Sequence, residues 1–373
     1  MPLPPLVSPV DALSDAERTR THRHAALRGF GELAQHRLAA AHVAIVGAGG
    51  LGSPAVLALC AAGVGTITVI DDDDVDVANL QRQVLHRHRD IGAPKVDSAV
   101  RAGADLSPET RVNARRERLD ATNAAHLLAG ADLVLDGSDT FATRTIVAAE
   151  CERRGLPLVW GVVQEFHAQV TVFWSAPPAG REAVVLADLH PPELVGEAPS
   201  CTEVGVLGAL TLQVGAIMAV EALKLITGVG EPLLGRVLLV DALAGRSTDV
   251  PLHPTAERRR GVVEASEPAA PAVPDAYAAA PPQLTLAEMR TAIADEGAVV
   301  LDVREPHETR GGGIDGAILM PLGDLLADPS AVAATAPVVV VCAKGLRARR
   351  AAEALRERGV DARVLAGGLA AWT

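Results

Sequence analysis

His42-Val43-Ala44-Ile45-Val46-Gly47-Ala48-Gly49-Gly50-Leu51-Gly52 runs an apolar, β-branched strand into a glycine turn, and an apolar helical pattern continues from Leu51 to Ala62. A second strand, Thr66 to Ile70, ends on Asp71, 19 residues beyond Gly52. Together these make a nucleotide-binding βαβ unit. The glycines admit backbone close to phosphates, the helix N-terminus adds amide donors and partial positive charge, and an acidic residue closing the second strand can hold a ribose hydroxyl. Gly47, Gly49, Gly50, Gly52 and Asp71 are therefore candidate nucleotide-binding residues. The pattern alone leaves a dinucleotide such as NAD and a triphosphate such as ATP both open.

The alternation continues beyond this unit. Strands at Leu133 to Leu135 and Leu158 to Trp160, with helical patterns at Lys95 to Asp105 and Phe141 to Arg154, predict a parallel sheet with helices on both faces. Gln169 to Phe173, Arg236 to Val240 and Ser247 to Val250 follow one another as strands, so the far half of the sheet is expected to be antiparallel. The fold class is α/β, a Rossmann-like nucleotide-binding domain with a mixed sheet. Residues 257–282 are rich in alanine and proline with no apolar periodicity and read as a linker. This gives an N-terminal helical segment at 1–40, a nucleotide-binding domain at 41–256 and a smaller α/β domain at 283–373. In the last, Val299 to Val303 and Val338 to Val341 are expected strands, and Gly345 to Arg358 and Gly368 to Trp372 expected helices.

The segment after Asp71 separates the two nucleotide readings. It places Asn79, Arg82, Gln83 and Lys95 near the same switch point, a polar cluster suited to a triphosphate. Only Lys95, Lys224 and Lys344 are lysines in a chain whose other basic residues are all arginine, so lysine stands where a compact ammonium beside a phosphate is wanted. Asp71 and Asp73 can hold ribose and support Mg²⁺, while Asp72 and Asp74 read as a solvated loop. Asp139, at the end of the Leu133 strand, is the metal candidate, because open α/β sheets place ligand groups there. Asp136 reads as a turn cap.

Composition narrows the function classes. The chain has 373 residues, and 46 acidic against 34 basic groups leave a net charge of −12, which excludes a non-specific nucleic-acid binder. Four cysteines lie far apart with no Cys-x-x-Cys pair, so sulfur chemistry has to use single thiols and no zinc site is expected. The N-terminus lacks a basic region and is broken by prolines, so no signal peptide is read and a cytoplasmic setting is expected. Two uncharged stretches, Val43 to Ile70 and Val204 to Val220, raise a membrane span, and glycines with Pro54 cut the first into strand, turn, helix and strand. The second is bounded by Glu203 and Glu221. Its three glycines and Gln213 favour a helix buried in a core or subunit interface, so no membrane partner is expected.

Cys342-Ala343-Lys344-Gly345-Leu346-Arg347 follows the Val338 strand and precedes a helix. The cysteine is expected over a ring of backbone amides, acidified and exposed. Amides, Lys344 and Arg347 can hold an anionic terminal sulfur. Asp302 and Arg304 are read as braces for this loop. Cys60 and Cys151, on apolar helical faces, read as inert core thiols.

These motifs carry two resemblances. From about Arg20 to Val250, RTHRHAALRGFGELAQHRL, VAIVGAGGLGSP, DVANLQRQVLH, IGAPK, DGSDTFATR and SCTEVGVLG are similar to the sulfur-carrier adenylyltransferases of molybdopterin and thiamine biosynthesis, relatives of ubiquitin-activating enzymes. The resemblance implies attack on the α-phosphorus of ATP by the C-terminal glycine carboxylate of a ubiquitin-like carrier ending in Gly-Gly. It implies ATP or Mg²⁺ binding by Gly50, Asp71, Asn79, Leu80, Gln81, Arg82, Lys95, Asp139 and Thr140, and a homodimer in which Arg23 reaches the partner's phosphates. Cys201 matches a cysteine on the family's mobile loop, where it attacks the adenylate or resolves an acyl disulfide. From about Gln283 to Thr373, LDVREPHE, IDGAILMPL, VVVCAKGLRA and AGGLAAW resemble a rhodanese domain, which implies a persulfide on Cys342 supplied by a cysteine desulfurase or thiosulfate.

Departures are equally specific. Relatives often carry two Cys-x-x-Cys pairs for zinc, and here those regions have none; His190, His253 and Asp188 read as scattered, solvated loop residues. Thr140 stands where asparagine is usual, and Ala34 where glycine is usual. The expected function joins adenylation of a carrier carboxylate to sulfur transfer from Cys342, giving a thiocarboxylate. Its rivals are adenylation for an amide or conjugate with the rhodanese unit as a docking module, an NAD-dependent oxidoreductase, and a non-catalytic scaffold.

Overall fold

In the computed structural model the chain divides into two units, Met1–Glu267 and Pro268–Thr373. The structure describes residues 3–191, 205–255 and 281–371, apart from 305, 307, 315, 333–335, 344 and 357. Cys201, Lys344 and most of the expected linker thus lie outside the described residues.

The first unit begins with α1 (Asp15–Ala25) and α2 (Gly31–Ala40). Next come β1 (His42–Val46), α3 (Gly52–Ala62), β2 (Thr66–Ile70), α4 (Lys95–Leu106), β3 (Arg111–Arg115), α5 (Ala124–Leu127), β4 (Leu133–Asp136) and α6 (Phe141–Arg154). β5 (Leu158–Gln164), β6 (His167–Phe173), α7 (Leu186–Leu189), α8 (Gly208–Thr227), β7 (Arg236–Asp241) and β8 (Arg246–Pro251) complete it. The strands form one sheet in the order β3-β2-β1-β4-β5-β6-β7-β8. Pairing is parallel from β3 to β5 and antiparallel from β5 to β8, as the sequence predicts. Strand order reverses between β1 and β4, and this opens a crevice at their C-terminal ends.

The central strands are buried on both faces, which is why they read as unbroken apolar runs: Val43, Ile45, Leu133, Leu135 and Val159 are fully buried. Each such leucine or isoleucine contributes about 1.5–3 kcal/mol by burial. Thr66 to Ile70 pairs with Arg111 to Arg115 in register. That edge strand carries arginines at both ends and no apolar run, and so escaped the sequence reading.

Helix α8 is the buried helix read from the Val204 to Val220 stretch, and it runs past Glu221 to Thr227. Glu221 is buried in mid-helix because its carboxylate accepts from Leu233 N at 2.7 Å and pairs with Lys224 Nζ at 2.6 Å. Leu210, Val214, Met218, Ala222 and Leu225 pack into the core, and Gly215 lets α8 approach Leu51 and Pro54 at the start of α3. α8 is the one described helix long and apolar enough to cross a membrane.

The second unit holds β9 (Gln283–Leu284), α9 (Leu286–Asp295), β10 (Val299–Asp302), β11 (Ile318–Leu319), α10 (Leu322–Ala327), β12 (Val338–Val341), α11 (Leu346–Arg356) and β13 (Ala362–Leu365). Its sheet is parallel throughout, in the order β11-β10-β12-β13-β9. β12 is four buried valines at the centre. The expected helix at Gly368 to Trp372 is a single 3₁₀ turn over Gly368–Ala371.

Candidate active site

At the C-terminal ends of β1 and β4 lies a cavity of about 240 Å³. Gly47, at φ +88°, turns the chain out of β1, and a Cβ there would come within 2.9 Å of the Gly137 carbonyl beyond β4. Gly49 and Gly50 line the cavity, and their amides donate to none of the described residues. A side chain on Gly52 would collide with the Gly47 carbonyl, so this glycine shapes the loop from behind and is not in the cavity wall.

Asp71, at the end of β2, braces the loop. Its Oδ2 accepts from Ala48 N at 2.7 Å and its Oδ1 from Asp73 N at 2.9 Å. Burial pushes its carboxyl pKa up, against the Lys95 charge and the two backbone donors. Lys95 opens α4 with its side chain only 7% exposed, and its Nζ lies 2.7 Å from Asp73 Oδ2. Arg82 and Gln83 reach the same wall. Asn79 lies behind it: its Oδ1 accepts from Asp76 N, and its carbonyl accepts from Arg82 N and Gln83 N, so it sets the turn that delivers both. Leu80 and Gln81 also lie outside the wall, and Arg23 is exposed on α1, away from this cavity of its own chain.

Opposite the glycine loop, Asp139 and Thr140 are exposed at the start of α6. Thr140 caps that helix by accepting from Thr143 N at 3.2 Å, a task asparagine performs as well, which explains why the departure at this position is tolerated locally. Asp136 is fully buried and takes Ser138 N at 3.0 Å and Ser138 Oγ at 2.6 Å on Oδ1, the turn-capping role read from sequence. Burial pushes its pKa up. The carboxylates of Asp71, Asp72 and Asp73 lie within 4.8 Å of one another, hard oxygen donors of the kind Mg²⁺ takes, and Asp139 faces the same cavity.

Sequence reasoning missed Arg118, Leu119, Arg144 and Thr211 in the wall. Arg118 and Leu119 follow the unread strand β3. Arg144 donates to the Ser138 carbonyl at 2.9 Å and stacks over Trp160; only its place in DGSDTFATR marked it. His190, read as a solvated loop residue, packs against Trp160 and Phe141 at centroid distances of 5.5 and 6.0 Å. His253 faces Glu182, and Asp188 accepts from Thr255 N.

In the second unit Cys342 directly follows β12, and its Sγ accepts from Gly345 N at 3.1 Å and Ala348 N at 3.4 Å. Two of the expected backbone amides thus reach the sulfur. The expected exposure is not found: Cys342 is only 2% exposed, because the sulfur lies under the loop where those amides reach it. Arg347 makes a bidentate pair with Glu308, at 2.6 Å from both nitrogens. Arg304, paired with Asp302, also donates to the Glu308 and Gly312 carbonyls, and so braces the segment that presents Glu308. Cys60 and Cys151 are buried, and burial pushes the Cys60 thiol up to about 12 and the Cys151 thiol higher still.

The geometry meets its counterparts in known proteins. The ThiF family model matches residues 21–260, and the rhodanese-like domain model matches residues 285–373. The chain belongs to the ThiF family. This ThiF-family chain is 41% identical to a probable adenylyltransferase/sulfurtransferase MoeZ of Mycobacterium tuberculosis, over 99% of this chain and 96% of that protein. It is 33% identical to the adenylyltransferase and sulfurtransferase MOCS3-1 of Zea mays, over 95% and 81%. A sulfur carrier protein adenylyltransferase of Thermus thermophilus is 44% identical over 61% of this chain and 84% of its own length. Among solved structures, E. coli MccB with ATP shares the fold at a TM-score of 0.55 and 21% identity, over 65% of this chain and 73% of that one. The ThiF-family chain with its rhodanese-like domain is thus an enzyme of the adenylyltransferase/sulfurtransferase type, and ATP is the nucleotide its family implies. NAD-linked oxidoreduction and a non-catalytic scaffold are set aside.

Proposed function

We propose that the chain adenylates the C-terminal glycine of a ubiquitin-like sulfur carrier ending in Gly-Gly and then passes it sulfur from Cys342. The carrier carboxylate attacks the α-phosphorus of ATP, and pyrophosphate leaves. Carboxylate and polyphosphate repel one another, so the work of the site is positioning and charge neutralisation. Arg82 and Lys95 supply cations, the Gly49 and Gly50 amides supply donors, and Asp71 holds the loop and the ribose. Asp139, with Asp71 and Asp73, would hold Mg²⁺, which neutralises polyphosphate charge when bound. In a homodimer, Arg23 of each subunit would add a further cation at the other's phosphates.

The terminal sulfur of a Cys342 persulfide then attacks the acyl-adenylate carbonyl. A carbon–sulfur bond forms, the acyl–oxygen bond to AMP breaks, and an acyl disulfide joins carrier to Cys342. A thiolate, for which Cys201 is the candidate in this chain, attacks the Cys342 sulfur. The thiocarboxylate leaves with the electron pair, and the resulting disulfide is reduced by an external thiol in a reducing cytoplasm. Residues 257–282 would tether the domains at 41–256 and 283–373 and make the transfer effectively intramolecular. A cysteine desulfurase persulfide or thiosulfate would supply the sulfur. No zinc is included in this reading, because the chain has no Cys-x-x-Cys pair to hold it.

The observation that carries the reading is one cavity at the switch point faced by the glycine loop, Arg82, Lys95 and Asp139. ATP–pyrophosphate exchange tests it: exchange that depends on an added Gly-Gly carrier supports the reading, and exchange absent with every carrier tried counts against it.

A further inference from the structure

We propose that His86 is a positioning residue for the nucleotide loop: it holds the Ala48 carbonyl in the interior and thereby keeps the Gly49 amide turned to the phosphates. The proposal rests on the nucleotide reading of the cavity and assigns a task to a residue that does not line it.

His86 is 4% exposed and follows the Arg82–Gln83 turn. Its Nε2 lies 3.0 Å from the Ala48 carbonyl oxygen, which also accepts from Ser53 Oγ at 3.0 Å. On the other side of the residue, Ala48 N donates to Asp71 Oδ2 at 2.7 Å. Both peptide groups of Ala48 are thus fixed by side chains, at the one non-glycine position between Gly47 and Gly50. A trans peptide is planar, so the Ala48 carbonyl and the Gly49 N–H point in opposite directions. With the carbonyl turned to His86 and Ser53, Gly49 N–H faces the other way, and Gly49 lines the cavity without giving its amide to any described residue. The flipped peptide would present carbonyl lone pairs to a polyphosphate where a donor is needed. Glycines on both sides make such a flip inexpensive in this loop, so it has to be held from outside.

Two donors on one carbonyl define its direction better than one. The serine hydroxyl rotates, whereas the imidazole is set by its packing. Because the Ala48 carbonyl can only accept, Nε2 donates and the neutral ring is the Nε2–H tautomer. Burial first, then the neighbouring Lys95 and Arg101, lower the ring's pKa against the opposing Ala48 carbonyl and Asp90, and so favour the neutral form. Nδ1 is buried without a hydrogen-bond partner, which a neutral acceptor nitrogen tolerates better than a protonated donor would.

The experiment compares wild type with His86→Ala, His86→Phe and His86→Gln in the full chain, titrating Mg-ATP and adenosine by calorimetry. Ala and Phe should weaken Mg-ATP about tenfold, the scale of one lost hydrogen bond to the loop. Adenosine, which has no phosphate for the loop, should change less than about twofold. Gln, whose amide nitrogen can take the place of Nε2, should restore Mg-ATP affinity to within about threefold of wild type. If His86→Ala does not fold, the Phe and Gln pair decides, since only Gln can donate. Equal losses for Mg-ATP and adenosine, or no loss in Ala or Phe, would overturn the positioning role while leaving the nucleotide reading intact. Wild type failing to bind Mg-ATP would overturn both.

Discussion

Lys95 Nζ and Asp73 Oδ2 are 2.7 Å apart, yet the lysine side chain is 7% exposed and the aspartate 65%. The ammonium is held in place by the fold and the carboxylate is the movable partner. A triphosphate entering the cavity can therefore take over the lysine without a buried charge being stranded, because Asp73 can turn to solvent or to a metal.

This asymmetry predicts unequal mutants. Lys95→Met should lower carrier-dependent ATP–pyrophosphate exchange by about 100-fold or more, the scale of losing one preorganised charge donor. Asp73→Asn should stay within about tenfold of wild type. Equal losses in steady-state exchange assays would contradict the inference that the fold-held lysine acts on the triphosphate while the aspartate is its movable partner.

The Glu308–Arg347 pair joins residues 39 apart in sequence at the Cys342 loop. Cys342→Ala and Arg347→Ala should each abolish thiocarboxylate formation and leave ATP–pyrophosphate exchange within about twofold of wild type. Asp139→Ala should abolish both. Mass spectrometry of the carrier beside the exchange assay reads the two steps separately, and loss of exchange in Cys342→Ala would count against two chemically distinct sites.

Asp136 gives a pH-dependent prediction. Its folded-state pKa is raised by burial, so the folded state binds the proton more tightly than the unfolded chain. The stability this confers is fully present below the unfolded pKa and is lost as pH rises through the folded value. At pH 7.5 Asp136→Asn, which keeps the acceptor for Ser138, should raise the melting temperature by about 2–4 °C, the scale of a 1 kcal/mol gain in a domain of this size. The difference should close toward pH 4. An unchanged or lower melting temperature at pH 7.5 would contradict the raised pKa.

Glu221 should matter for stability without touching catalysis. Glu221→Ala leaves Leu233 N and Lys224 without their partner inside the fold and should cost about 1–3 kcal/mol in urea unfolding of the full chain. A loss below about 0.5 kcal/mol would show that water replaces the carboxylate.

Much of this architecture was legible because it depends on spacing along the chain. The strand into Gly47, the Asp71 closing β2 and the Cys342 loop each combine local pattern with a backbone need that few residues meet. Less visible were features decided by partners distant in sequence. Glu221 ends an uncharged stretch in the sequence, and the partner that lets its carboxylate be buried, Leu233 N, lies beyond the helix. β3 hid its strand character behind arginines at a sheet edge. Cys342 reads as exposed above its amides, whereas in the folded loop Gly345 N and Ala348 N reach the sulfur while it is buried. His86 stood inside a matching stretch, but its contact with Ala48 crosses 38 residues. The members of the cavity wall contributed by Arg144 and Thr211 likewise depend on α6 and α8 packing beside the switch point.

Activation of a carrier carboxylate and its charging with sulfur by one chain are read together in the intact mass of a panel of Gly-Gly carriers incubated with the enzyme, Mg-ATP and a sulfur donor, beside Cys342→Ala and Asp139→Ala. The expected result is a carboxylate-to-thiocarboxylate shift on one carrier that both substitutions abolish. A shift that persists without Cys342, or a carrier that is adenylated but never gains sulfur, would contradict it.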